Sequence, residues 1–349
     1  MSGASRSCYA KSWDPVFSTP REFNDDFPRS YTDKKRELGA AGDGIELFLL
    51  DDVEGSDPDD TVEELKKFTA SVTLEDLNAA SETTGQRQGA WLDVRSSLHS
   101  GNTSQTFTAS RLYVHLKRRR IGNQNALVAN RCLTYIKKLD ALYMLALAEM
   151  AAQHEVPLLR DAFRKHHNRQ TSLQVTISAN FKVFQLQFHL NYFKLGPLPP
   201  ENEADHRGTT SNTGKWIDLS FLQAQTPKSP GGRTQGMFQA QFSLAICGSA
   251  ESRWAAYAFD DTESEFVEDD FYDKIFPCGR DGYHPDPIAS CLPDDDTDAD
   301  LPIWNSREYF LIVVARRVAR AAHSWEALVR LVERRIKEHG STPFHFGTA

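Results

Sequence analysis

Over residues 184–192 apolar and polar side chains change places at every step. Phe184, Leu186, Phe188, Leu190 and Tyr192 are separated by Gln185, Gln187, His189 and Asn191. A period of two predicts a strand with one face buried and one face wet, as in an antiparallel sheet. Leu173, Val175 and Ile177 repeat the pattern, as do Ile217, Leu219 and Phe221, and then Phe238, Ala240, Phe242, Leu244 and Ile246. Residues 254–259 (Trp254 to Phe259) read as a further strand. Arg111 to Leu116 and Cys132 to Ile136 read as strands joined by a basic loop containing Lys117 to Arg120. Ile45 to Leu50, a short apolar run ending in Asp51 and Asp52, reads as a buried strand.

Elsewhere the period is close to 3.6. Val62, Leu65 and Phe68 predict a short helix over Thr61 to Phe68. Asp140 is placed to cap a helix running to about Gln153, and Pro157 to begin another that ends in the basic stretch Arg164 to Arg169. A long helix is predicted from a Ser306 cap to about Glu338, with Gly340 as its stop. Along it Leu311, Ala315, Val318, Ala322, Trp325, Val329, Val332 and Ile336 stand 4, 3, 4, 3, 4, 3 and 4 apart. That is a heptad seam of coiled-coil type. So narrow a seam suits one other helix, and Leu311, Val318, Trp325, Val329, Val332 and Ile336 are its candidate interaction residues, with Trp325 as an anchor. The competing reading lays the helix across its own sheet, with Ala315 and Ala322 permitting close approach.

Between these elements lie polar stretches. Residues 1–44, broken by Pro15, Pro20, Pro28 and several glycines, read as a loosely ordered arm. Residues 45–110 hold a short strand and helix and then a polar linker from Ser81 to Ser110. Residues 111–300 form the main domain, and 301–349 the long helix and tail. The predicted class is α+β: an antiparallel sheet of five or six strands, helices packed on one face, and a long amphipathic C-terminal helix.

Composition narrows the function classes. With 40% hydrophobic residues in 349, the chain can bury a core. Its net charge of −8 argues against a nucleic-acid partner. The charge is segregated: residues 260–300 hold 15 acidic side chains against Lys274 and Arg280, a local balance of −13, which leaves +5 on the rest. This acidic loop is expected to lie against the arginines of the last helix. Leu139 to Met150 is too short for a membrane span and reads as a buried core helix. Five scattered cysteines without a C-x-x-C pair suit reduced thiols, and the opening residues lack a secretory pattern. Both point to the cytoplasm, with the nucleus as the lesser alternative.

The local chemical motifs fail one by one. Gly208 to Lys215 has the wrong glycine spacing for a phosphate loop, with Trp216 where a hydroxyl is needed. His154-Glu155 begins like a zinc-protease motif, but Leu158 replaces the second histidine. Cys278, His284 and Cys291 match no compact zinc module. Asp294, Asp296 and Asp298 echo a calcium loop, but Ala299 stands where the turn needs glycine. Asn102-Thr103-Ser104 fits a glycosylation sequon with no secretion route to use it. His166 and His167 suit the end of a helix dipole, and His189 falls on the face expected to be wet. No catalytic, cofactor or metal residues are assigned.

The run LTYIKKLDALYMLALAEMAAQHEVPLLRDAFRKH, followed by TSLQVTIS and FQLQFHLNYFKL, resembles a family of uncharacterised fungal proteins. SLAICGSAESRWAAYAFDD and WNSREYFLIVVARRVARAAHSWEALVRLVE are similar to that family's later blocks. Some members continue into membrane helices like those of CorA-type magnesium transporters, which this chain does not carry, so ion conduction does not transfer. The resemblance implies a regulatory or protein-interaction domain without catalytic activity and supplies no active-site residues. The alternatives are a cytosolic part of a cation-transport assembly, and an enzyme whose site is dispersed in sequence.

Overall fold

A computed structural model describes residues 30–39, 45–49, 60–79, 87–96, 105–122, 130–177, 183–197, 216–219, 235–262, 285–290 and 297–340. One sheet organises them. Its strands are β1 (Ala90–Arg95), β2 (Gln105–Phe107), β3 (Arg131–Lys137), β4 (Ser172–Ile177), β5 (Phe184–Pro197), β6 (Trp216–Asp218), β7 (Gln235–Ala250) and β8 (Arg253–Asp261). Seven of them run in the order β2-β1-β3-β8-β7-β5-β4, and short β6 pairs beside β8 on the far end of β7. The α+β class holds. The sheet is mixed, however, because β3 and β8 pair in parallel, Arg131 opposite Trp254 through Lys137 opposite Asp260. It is also longer than five or six strands, since β1 and β2 come from the stretch read as a polar linker.

Helices cover both faces, not one. On the first face lie α1 (Tyr31–Glu37), α2 (Ile45–Leu49), α3 (Asp60–Thr69), α4 (Leu74–Ala79), α5 (Ala109–Gly122), α6 (Ala141–Met150) and α7 (Val156–His167). Their core joins Phe48, Leu65, Leu77, Leu112, Leu145, Leu159 and Phe163 to Leu92, Cys247 and Phe259 of the sheet. Helix α6 is apolar all round because α1, α2, α3 and α5 enclose it. Its one buried acid, Glu149, is met by Arg36 at 2.6 Å. Asp140 caps it as expected, accepting from the Tyr143 N–H at 3.0 Å. On the second face α8 (Ser306–Gly340) and residues 285–290 and 297–303 cover Trp91, Leu133, Phe184, Leu186, Phe188, Phe242, Leu244 and Trp254. The residue capping α8 is Asn305, whose side chain accepts from the Glu308 N–H at 3.0 Å, one position before the expected Ser306.

Two predicted strands are helices. Arg111 to Leu116 lies within α5, which turns Ala109, Leu112 and Tyr113 into the core, and Lys117 to Arg120 continue that helix instead of forming a loop. The same residues satisfy a period of two through Leu112, Val114 and Leu116, so a six-residue window does not separate the alternatives. Ile45–Leu49 forms α2 and buries four of its five side chains against α6 and α7.

The wet face expected of β5 is covered by α7, so Gln185, Gln187 and His189 are buried at 7%, 2% and 0% exposure. Of the row expected to be buried, Phe184, Leu186, Phe188 and Tyr192 are buried and Leu190 is half-buried. At β4 the expectation fails the other way: Leu173 and Val175 are 64% and 49% exposed, because β4 is the edge strand and receives little cover.

Candidate interaction surface and the polar clusters behind it

Helix α8 carries two apolar stripes. Tyr309, Val313, Arg317 and Ala321 recur four apart and are buried under the helix, with Phe310 beside them. At 100° per residue, the predicted seam lies roughly a third of a turn round from that stripe. The helix therefore lies across its own sheet through one face, while most of the seam occupies another. Leu311 is packed against the second-face core. Val318, Trp325, Val329 and Ile336 are 46%, 45%, 51% and 66% exposed, and Val332 is half-buried. Trp325 meets the Phe193 ring edge-on at 6.1 Å, where β5 runs past the end of β4.

The proximal half of α8 is locked down by charge. Arg317 is buried over the Phe242 ring, 3.8 Å from guanidinium to centroid. It donates to Asp260 Oδ2 at 2.7 Å, to the Pro287 carbonyl at 2.9 Å and to the Ile288 carbonyl at 3.0 Å. Burial pushes the Asp260 carboxyl up, but Arg317, Arg320 and two hydrogen bonds from Thr262 outweigh it and hold Asp260 well below the usual carboxylate range. Arg316 donates to the Ala289 carbonyl at 3.0 Å and to Thr297 Oγ1. The described ends of the acidic stretch thus sit against this helix. Its middle, residues 263–284 and 291–296, lies outside the described residues, along with Cys278, His284, Cys291, Asp294 and Asp296, and so does the Gly208 to Lys215 loop.

Beside it is a second buried network. Arg131 lies against the rings of Trp254 and Tyr309 at 5.9 and 5.3 Å, and its Nη2 is 3.4 Å from Asp286 and 3.8 Å from Asp93. Asp93 also takes Arg95 Nε at 2.9 Å. Burial raises the Asp93 carboxyl despite Arg131 and Arg95, and it pushes the Tyr309 hydroxyl well above its ordinary value, helped by Asp286. Tyr309 therefore remains a donor, to Asp286 Oδ2 at 3.0 Å.

On the helical face a serine stands between two histidines. Ser243 Oγ lies 2.8 Å from His189 Nδ1 and 2.9 Å from His166 Nδ1, and His189 Nε2 is 3.2 Å from Gln187 Oε1. A single hydroxyl proton means that Ser243 donates to one ring and accepts from the other. His166 Nε2 is 3.3 Å from Asp261 Oδ2, off the line of a hydrogen bond. The residue types are those of a hydrolase triad, but Ser243 has no exposed surface and lies mid-strand under α7. The adjacent open groove, about 650 Å³, is lined by Glu64, Lys67, His167, Asn168 and Arg169 and not by Ser243. The arrangement satisfies buried polar groups and gives no nucleophile that a substrate reaches. His166 lies in the last turn of α7 as expected, yet it is buried, and His189, expected on a wet face, is buried too. Burial, then Lys165 and His166, lowers His189 to about 3, so its ring is neutral.

A fourth cluster joins His154 and Glu155 to Cys247, with ligand atoms all within 4.8 Å of one another. Glu155 Oε2 accepts from the Ala152 N–H and Oε1 from the Tyr257 hydroxyl, both at 2.8 Å. The local sequence offered only the first two residues, and the third comes from β7.

Among the described residues no helix is long and apolar enough to cross a membrane. No family model, curated protein or solved structure matches the chain.

Proposed function

We propose that this protein is an interaction or regulatory domain whose contact element is the exposed seam along α8, and that it pairs there with the same helix of a second copy. The observation that carries the reading is the second apolar stripe. Val318, Trp325, Val329 and Ile336 are exposed while the other stripe of the same helix is covered by the sheet. Each large apolar side chain left in water forgoes roughly 1.5–3 kcal/mol, so four in one line are a ready contact surface.

The seam supports self-pairing by its sizes. In an antiparallel two-fold arrangement, Leu311 of one copy meets Ile336 of the other, Ala315 meets Val332, Val318 meets Val329, and Ala322 meets Trp325. The largest residue thus faces a small one. The test is multi-angle light scattering of the chain at about 1–100 µM, beside the double variant Val329→Asp/Ile336→Asp. The expected result is a wild-type dimer and a monomeric variant that keeps the wild-type circular dichroism spectrum, because both side chains are exposed, while the wild-type melting temperature alone rises with concentration. A wild-type monomer throughout that range refutes self-pairing.

A further inference from the structure

His154 and Glu155 sit in the turn between α6 and α7, and that turn is fixed by several bonds. Tyr31 donates its N–H to the Ala151 carbonyl at 3.1 Å, and Glu155 donates its own to the Ala152 carbonyl at 2.9 Å. Both residues are half-buried, so solvent reaches them. Cys247 points from β7 into the helical-face core beneath the turn and is 1% exposed. Its thiol is not disulfide-bonded. The nearest sheet cysteine is Cys132, which flanks Ala255 from the other side. Two strand spacings, roughly 9.6 Å, separate the two backbones, beyond the ~7 Å that a disulfide spans.

We infer that His154, Glu155 and Cys247 form a binding site for a borderline divalent metal ion, zinc being the natural occupant. The donor set is one imidazole nitrogen, one carboxylate oxygen and one thiolate sulfur. Magnesium and calcium require more oxygen ligands than one carboxylate supplies, and copper(I) and iron–sulfur centres require more sulfur. Tetrahedral zinc with bonds of ~2.0–2.3 Å places its ligand atoms roughly 3.3–3.8 Å apart. A set already within 4.8 Å closes on the ion by side-chain rotation of the order of 1 Å.

The outer contacts are those of a metal ligand. Glu155 is oriented at both oxygens, and each keeps a lone pair for the ion. The Tyr257 hydroxyl is the donor to Glu155 Oε1. Three protein ligands leave a fourth position, which water fills from the half-exposed side. Binding converts the thiol to thiolate: the S–H bond breaks, the sulfur pair forms the metal bond, and one proton leaves to solvent.

Equilibrium dialysis of the full chain against zinc, followed by metal analysis, tests this, with calorimetry in two buffers counting released protons. About one zinc and one proton per chain are expected. Cobalt(II) is expected to give a thiolate charge-transfer band that Cys247→Ser abolishes and Cys132→Ser leaves. Cys247→Ser and His154→Ala should each bind zinc at least about tenfold more weakly, with wild-type circular dichroism. Should Cys247→Ser fail to fold, His154→Ala decides, because it changes only a half-exposed turn residue. Binding below about 0.2 zinc per chain, or undiminished binding in His154→Ala, overturns the site.

Discussion

Replacing Arg317 by methionine keeps the helix-forming stem over Phe242 and deletes only the guanidinium. Asp260 then loses the partner 2.7 Å away while remaining buried, and the Pro287 and Ile288 carbonyls lose donors at 2.9 and 3.0 Å. Leaving one member of a buried ion pair costs about 3–5 kcal/mol, and each orphaned carbonyl adds about 1 kcal/mol. Arg320 and Thr262 still act on Asp260, which moderates the total. The expected loss is therefore about 4–6 kcal/mol, close to half the stability of an ordinary domain. Urea unfolding followed by far-ultraviolet circular dichroism at pH 7 measures it. The acid limb provides a second readout. Because the folded Asp260 lies below its unfolded value near 3.9, its contribution is complete above about pH 4 and is lost as pH falls further. In Arg317→Met that acid loss should flatten. Adding Asp260→Asn should return at least about 2 kcal/mol, since the stranded charge disappears. A loss under about 1 kcal/mol, or an Asp260→Asn effect identical in both backgrounds, refutes the reasoning.

His189 gives a separate pH window. Its ring is neutral in the fold, with a value of about 3 against about 6.5 unfolded, so its contribution is complete above about pH 6.5 and falls away towards pH 3. The contribution is at most about 4–5 kcal/mol, and His189→Gln should flatten the unfolding free energy between pH 6.5 and 4. At Gly248 a methyl group would lie 2.6 Å from the Phe184 ring and 2.7 Å from both the Arg253 carbonyl and Trp254 Cβ. Gly248→Ala should lower the urea midpoint by the equivalent of about 3 kcal/mol with no change in slope, and an unmoved midpoint would rule out that packing.

The elements legible in the sequence are those whose pattern is long or whose ends are marked. β5 and β7 declare themselves by alternation, β8 by its apolar run Trp254 to Phe259, α6 by the Asp140 cap, α7 by Pro157, and α8 by its length. β1 was hidden because it is enclosed in Ser, Thr and Gly; its Ala90, Trp91, Leu92 run has no alternation, since both faces are buried. For the same reason Gln185, Gln187 and His189 mislead: glutamine and histidine mark a wet face only when nothing packs over it, and α7 supplies them with partners. The seam was legible as spacing, but its exposure was not, because the buried stripe on α8 runs through Arg317, which no hydrophobic count selects. The metal cluster was out of reach for another reason. His154 and Glu155 adjoin in sequence, whereas Cys247 reaches them only through the sheet.

The parallel pairing of β3 with β8 sets an order of events during synthesis. β3 is translated early, and the strand that completes its open edge begins at Arg253. At about 5–20 residues per second, the ribosome needs roughly 6–25 s to deliver β8 after β3 has formed. Throughout that interval β1 and β3 offer an unpaired edge lined with Leu133, Tyr135 and Ile136. The nascent chain is then most vulnerable to aggregation, and chaperones that shield strand edges have most to do.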